Sequence, residues 1–402
     1  MTYFSVFNFK TLAVSASAFF LVACQPGSLD IGDLAGQKPK VVQPQLAKRP
    51  ITPEARGEVV GNGPVRVTLL VPSSMSGGGG AVGKQLRNAA KLAVRDFGAG
   101  RLQLVIKDTK GQAAESANVV SQARDEGSSL ILGPLLSANV SSASSIARPA
   151  AIPMIAFSSD TARAGSGTYL LSFAPEADIE RTLNYGISRG GTRVVALLPN
   201  NAYGAIAERT LRRTYDSSGT GQIVSIVKYA GNAKAIEAAA KSAAVPLATA
   251  NALYIPEGGQ VPSIILKSIA DAGGNLTGKQ IMGSGQWDGI SLSNSSLNGA
   301  IFAGADKRNF ESFSSRYRSA YGSTPSTTAA LGYDAVSLAA QLISRNQANP
   351  FTAQAIQSRA GFNGATGIFR FKTNGQLERG QVVNQVASGK KIIASPAPNS
   401  FR

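Results

Sequence analysis

The chain has 402 residues, 43% of them hydrophobic, enough for two packed domains or one two-lobed body with real cores. Forty Lys and Arg against 23 Asp and Glu give a formal charge of +17, a field that favours acidic polymers, membrane surfaces and carboxylated ligands. There is no histidine and one cysteine, Cys24, which excludes His-based triads, Cys nucleophiles in a folded body and the usual zinc ligand sets and disfavours an enzyme; carboxylate-pair or Ser-Lys chemistry stays formally open.

Residues 1–23 read as an export signal. Lys10 supplies the positive segment and Thr11 to Val22 the apolar run, which is too short for a good membrane span. Leu21-Val22-Ala23-Cys24 resembles the bacterial lipobox, in which the cysteine is lipidated and becomes the new N-terminus. Several acyl chains on Cys24 would anchor the protein stably to a membrane, where a single chain binds only marginally. Gln25 follows instead of Asp, and by resemblance to known sorting signals this points to the periplasmic face of an outer membrane. Export also removes nucleic acid as the partner of the basic surface. Residues 24–64 read as a linker, with Pro26, Pro39, Pro44, Pro50, Pro53 and Pro64, mixed charge and no sustained periodicity. As a coil it would span roughly 35 Å, and fully extended about 130 Å.

From Val65 strands and helices alternate. Val65 to Val71 (VRVTLLV) is an apolar strand, and Pro72 to Gly80, with four consecutive glycines, reads as a turn at the mouth of a cleft. No Gly-Lys-Ser/Thr follows those glycines, which argues against a phosphate loop. The next helix puts Val82, Leu86, Ala89, Ala90, Ala93 and Phe97 on one face. Leu102 to Lys107 is a strand, Gln112 to Glu126 a helix, and Ser129 to Leu132 a strand that runs into Gly133-Pro134-Leu135-Leu136-Ser137. After a helix-like stretch, Ala138 to Arg148, a second apolar run from Ile152 ends in Ser158-Ser159-Asp160. Two strand ends offering amides and hydroxyls make a cradle for a small polar ligand, since ligands of open α/β sheets sit outside the carboxyl ends of strands. The same residues also suit plain turns.

A second set follows. Helices are expected at Glu176–Arg189, Tyr203–Asp216, Ala233–Ala244 and Val261–Ala272, with strands at Arg193–Leu198, Gln222–Tyr229, Ala252–Ile255, Gln280–Gly283 and Asn298–Ala303. Helices at Lys307–Tyr321 and Ser326–Arg345 come next, and Thr366–Phe371, Asn374-Gly375 and Gln381–Val386 predict a closing hairpin. Strands alternating with helices of ten to fifteen residues mean parallel sheets covered on both faces.

At this point the residues carry a family. Pro72 to Gly77, Gly133-Pro134-Leu135-x-Ser137, Ile152-Pro153-Met154-Ile155, Tyr203-Gly204, Asn298-Gly299-Ala300, Gly332-Tyr333-Asp334-Ala335-Val336 and Gly367-Ile368 through Asn374-Gly375 stand in the order found in the type I periplasmic-binding proteins. The resemblance is to the leucine/isoleucine/valine-binding branch and covers about Val65 to Val386. It implies an α/β, bilobal type I periplasmic-binding fold, two doubly wound parallel sheets with an interlobe cleft. The chain would cross between lobes near Phe173–Pro175, Ala303–Lys307 and Phe362–Gly367, giving lobe one as about 65–174 plus 305–363 and lobe two as about 175–304 plus 364–402.

Carried over position by position, the resemblance makes Ser137 the hydroxyl that receives an amino-acid carboxylate. Ser158, with Ser159 beside it, falls where a backbone carbonyl meets the ammonium. Tyr203 matches a tyrosine of the second-lobe wall. The branch's second-lobe acid should lie near Gly285-Gln286-Trp287-Asp288, where the slot itself falls on Gly285 or Gln286 and Asp288 is the stand-in. Asp160 falls where the branch has a threonine. A carboxylate there would repel a ligand carboxylate by on the order of 1 kcal/mol in wet surroundings, unless Asp160 is an N-cap turned away from the cleft. Trp287 is either a stacking wall or core.

Two functions follow. One is an amino-acid receptor that serves an ABC permease. The other, towards which the lipobox, the tether, the basic body and the run Gly133 to Val140 tilt the reading, is a lipoprotein activator of a penicillin-binding protein. Neither calls for a cofactor.

Overall fold

The computed structural model describes residues 53–306 and 308–401. The expected export signal, Cys24 and the linker up to residue 52 lie outside the described residues. The first sheet is built by Glu58–Val60 (β1), Val65–Val71 (β2), Leu102–Asp108 (β3), Leu130–Leu132 (β4), Met154–Ala156 (β5) and Thr168–Leu170 (β6), in the spatial order β1-β3-β2-β4-β5-β6. Its pairs are parallel except β1 with β3. All of β2 is buried, as expected for a strand covered on both faces. Val67, Leu69 and Val71 point into one core and Leu70 into another. Gly77–Ala93 (α1) covers the first face, and Ala113–Asp125 (α2) with Ser137–Ala147 (α3) the second.

The chain then passes into Pro175–Ser188 (α4), Arg193–Pro199 (β7), Ala202–Ser217 (α5), Gln222–Tyr229 (β8), Ala233–Leu247 (α6), Ala252–Tyr254 (β9), Val261–Asp271 (α7), Gln280–Met282 (β10) and Ile301–Ala305 (β11). It continues through Arg308–Tyr321 (α8), Ala329–Arg345 (α9), Ala353–Ile356 (α10), Phe362–Gly364 (β12), Gly367–Phe371 (β13), Leu377–Arg379 (β14), Gln381–Ala387 (β15) and Lys390–Ser395 (β16). The second sheet has the order β16-β15-β11-β10-β9-β7-β8, parallel from β8 through β11 and antiparallel where β15 and β16 extend its edge. Its faces are covered by α6 with α7 and by α4 with α5. The fold is thus an α/β two-lobed body with parallel-rich sheets.

Helix α9 returns to the first lobe, where residues from Ala329 to Ile343 join the core beside α1. The small sheet β12-β13-β14 stays there too, because Phe362, Phe369 and Phe371 are buried in that core, with Phe371 5.4 Å from the Tyr169 ring. The third crossing therefore falls between β14 and β15, at Arg379–Gln381, and not at Phe362–Gly367. For the same reason Asn374-Gly375 joins β13 to β14, whereas β15 pairs with β11 in the other lobe, so the expected hairpin of 366–371 with 381–386 is not formed.

Two further differences have local causes. The glycine run is not a turn: α1 starts at Gly77, and a Cβ on Gly80 would stand 1.8 Å from the Met75 carbonyl oxygen, so the absent side chains let the helix sit on the preceding turn. Residues 58–60, expected inside the linker, form β1, held by Glu58 to Arg87 at 2.5 Å and to Lys91 at 2.7 Å.

Buried Asp334 on α9 clamps the start of β13. It accepts from the Ala365 amide and, at 3.0 Å, from the Thr366 hydroxyl, which in turn accepts from Arg379. Asp334→Ala strands those donors and the guanidinium, and should lower unfolding stability by about 3 kcal/mol or more. Urea melts of the two proteins measure this; equal midpoints would refute the clamp.

Candidate functional site

A cavity of about 360 Å³ lies where the three crossings meet, lined by Phe173 to Pro175, Gly304 with Ala305, and Arg379 with Gln381. Its second-lobe wall carries Asp178, Tyr203, Gln286 and Asp288, and Thr327 comes from the other side. This volume lies within the usual range for a small-molecule site.

Asp178 is the residue around which the wall is built. Helix α4 starts with Pro175 at its first position and has Glu176 and Asp178 in its first turn, where a carboxylate complements the helix dipole. The Asp178 Oδ2 accepts from the Gly285 amide at 2.6 Å. A Cβ on Gly285 would stand 1.9 Å from that oxygen, so only glycine admits the contact. The other oxygen, Oδ1, is buried and has no hydrogen-bond partner. Burial pushes the Asp178 carboxyl up to about 7, the backbone amides of Gly285 and Ile179 pull it back in part, and the nearby Glu176 charge adds to the rise. Beside it Tyr203 donates to Ser284 Oγ at 2.8 Å, and Ser284 donates to the Pro256 carbonyl at 2.5 Å. Burial, with the Asp178 charge second, raises the Tyr203 phenol well above its ordinary value and keeps it a neutral donor. The buried Tyr254 hydroxyl also lacks a partner.

The residues expected from the sequence divide into two groups. Tyr203 and Asp288 line the cavity; Asp288 is ion-paired to Lys391 at 2.5 Å. Ser137, Ser158, Ser159 and Asp160 are not among its lining residues. Ser137, Ser158 and Asp160 form a network of their own, in which Ser137 donates to Asp160 Oδ2 at 2.5 Å and Arg163 pairs with the same oxygen at 3.0 Å. Asp160 Oδ1 caps the short turn Thr161–Arg163 by accepting from Ala162 N–H, and buried Ser158 accepts from the Asp160 amide, while Ser159 is exposed. Asp160 is thus an N-cap, and the Ser137 hydroxyl, with Ala162 and Arg163, holds its carboxyl below the usual range against the opposing effect of burial.

Trp287 is core, fully buried, with its indole donating to the Glu257 carbonyl at 3.1 Å and its ring 6.1 Å from Phe302. The stretch 285–288 is expected to carry the second-lobe acid; Asp288 lines the cavity, and a second acid, Asp178, enters from α4 at the position Gly285 leaves empty. Sequence reading missed Asp178 because acids in a first helical turn are ordinary. Its one signal is a glycine opposite it. Among the described residues no cluster of His, Cys, Asp and Glu could hold a metal ion.

Residues 64–391 match the profile of the periplasmic binding protein family, which is most of the chain. The chain belongs to that family. No curated protein sequence matches it. Among solved structures, this periplasmic binding protein is similar to one from Rhodospirillum rubrum described as a branched-chain amino acid ABC transporter (TM-score 0.70, 18% identity, covering 82% of this chain and 99% of that one). It is also similar to a leucine-binding protein from Thermotoga maritima (0.53, 20%, 83% and 99%). A third is an ABC transporter substrate-binding protein from Desulfitobacterium hafniense solved with Leu (0.57, 18%, 82% and 99%). At these identities the likeness shows the fold.

Because the folded Asp178 carboxyl lies near 7, above the ordinary 3.8, the folded protein keeps a proton there that the unfolded chain has lost. The associated stability is full below about pH 4 and is lost as pH rises through about 7. In the binding protein without ligand, Asp178→Asn should therefore match the wild type near pH 4 and melt several degrees higher near pH 8. Melting curves that stay parallel across that range would refute the assignment.

Proposed function

We infer that this periplasmic binding protein is a non-catalytic receptor that captures a small amine-bearing, amino-acid-type solute between its lobes and passes it to a membrane permease. One observation carries the reading: the unpartnered, buried Oδ1 of Asp178, on a carboxylate whose other oxygen is fixed by Gly285 at the wall of a 360 Å³ cavity. A ligand ammonium supplies the missing donor and charge, and its arrival ionises a carboxyl that is otherwise part-protonated at neutral pH. The relatives named above, described as amino-acid ABC transporter proteins and leucine-binding proteins, support the same class of ligand. Family membership supports a periplasmic address, and the lipobox-like Leu21 to Cys24 supports lipid anchoring there, with Gln25 favouring the outer membrane.

The activator reading keeps one specific support. The Ser137 hydroxyl, to which the resemblance gives the ligand carboxylate, already donates to Asp160 of the same chain. A first-lobe wall satisfied internally suits a body that contacts a penicillin-binding protein without carrying a solute.

Thermal-shift titration with L-leucine, L-isoleucine, L-valine and L-lysine separates the two. A receptor should gain several degrees with at least one of them, about 2.7 kcal/mol at a hundredfold excess over Kd, and Asp178→Asn should abolish the gain. No gain with any amine, together with a changed glycosyl- or peptidyl-transfer rate of a synthase when the protein is added, would replace the receptor by the activator. If the Ser137–Asp160 bond closes that wall, Ser137→Ala should raise the Asp160 carboxyl pKa in an NMR titration while leaving amine binding unchanged; weaker amine binding would return Ser137 to the site.

A further inference from the structure

A second chamber, of about 530 Å³, adjoins the first and shares Ser172, Ala174, Ala177, Leu377, Arg379 and Gln381 with it. Its character is basic. Arg379, only 8% exposed, lines both chambers. The guanidinium lies 4.6 Å from the Phe173 ring and 5.6 Å from that of Phe369. Its Nη1 donates to Thr366, but Nε and Nη2 are buried without partners. Those two N–H groups form the side-on fork of an arginine, the geometry that receives both oxygens of a carboxylate or phosphate. Burial pulls the Arg379 pKa down to about 10, partly restored by Asp334, which reaches it only through Thr366. It stays charged at any physiological pH, and Asp334 offsets that charge without a direct hydrogen bond to it, so the two N–H groups of the fork are buried donors short of an acceptor.

The other side chains of the chamber agree. Arg213 is paired with Glu180 at 3.1 Å, Glu378 with Arg370 at 2.9 Å, and Arg181 is held by Ser395 at 2.7 Å. Arg209 and Lys372 are exposed at the chamber and have no acidic partner among the described residues. The remaining acid, Glu176, leaves a buried Oε2 unpartnered, and it stands two residues from Asp178 in the same helical turn. Negative groups thus gather at the start of α4, and free cations at Arg379, Arg209 and Lys372.

We propose that the second chamber is an anion subsite in which the Arg379 fork grips a carboxylate or phosphate, with Arg209 and Lys372 screening it. Joined to the amine site of Asp178, on which this half of the argument rests, it defines the solute class as elongated and dipolar. An acidic group at the far end of the molecule, which a simple α-amino acid lacks, would add to the amine contact that such an amino acid makes at Asp178.

Calorimetric titrations with 6-aminohexanoate, n-hexylamine, succinate and inorganic phosphate test both halves on the full chain. The wild type should bind 6-aminohexanoate about tenfold more tightly than n-hexylamine, a ratio expected of one charge-assisted bidentate contact. Arg379→Lys keeps the charge but removes the fork and should bring that ratio near one. The double variant Arg209→Ala/Lys372→Ala, at exposed positions that folding does not need, should reduce it severalfold, and it decides the matter if Arg379→Lys does not fold. Whichever of succinate and phosphate binds, in an Arg379-dependent way, identifies the anion. Asp178→Asn should weaken both amines alike and leave the anions unchanged. If Asp178→Asn has no effect on n-hexylamine, the amine site fails alone, and Arg379-dependent binding of succinate or phosphate still upholds the anion subsite. A ratio near one in the wild type, or one unmoved in both basic-residue variants, overturns the subsite.

Discussion

A carboxylate oxygen 2.6 Å from the Gly285 amide governs how the central cavity is made. The contact joins the start of α4 to the loop after β10, elements more than a hundred residues apart, and it exists because position 285 has no side chain. It fixes one oxygen of Asp178 and leaves the other buried and open. Tyr203, Ser284 and Tyr254 gather around that carboxylate; burial raises the titration of both tyrosines, and its charge adds to the rise. One glycine thus decides where negative charge enters the second-lobe wall, and its own amide supplies the donor.

Much of the lobe architecture is legible in local sequence. VRVTLLV in β2 and RVVALLP in β7 are short apolar runs that only two covered faces can accommodate. The helices between the strands carry a periodic apolar face, and their bounds differ from the expected ones by a few residues. Legibility ends where tertiary contact decides. The strands β1, β6 and β16 carry little apolar signal of their own, and β16 is largely exposed. The third crossing moved because Phe362, Phe369 and Phe371 are claimed by the first-lobe core, a competition that spacing cannot reveal.

The site was less legible for the same reason. Ser137 and Asp160 were visible as hydroxyl and acid at two strand ends, but not that they bond each other. Asp178 sits in Pro-Glu-Ala-Asp, indistinguishable from any well-charged helix start. Arg379 looks like a surface residue after an Asn-Gly turn, but Phe369, its cross-strand neighbour on β13, and Phe173, far away in the chain, close over it. Both residues owe their chemistry to desolvation, and desolvation belongs to the assembled body.

Arg379 is also the last residue of β14, packed with the first lobe, and two positions later β15 enters the sheet of the second. Its guanidinium rests on Phe173, which belongs to the first crossing. Two of the three connecting segments are therefore clasped by one side chain at the fulcrum between the lobes. Whatever contacts that side chain bears on both segments at once. An anion on this arginine, as proposed, would touch the connections between the lobes without contact with either rim.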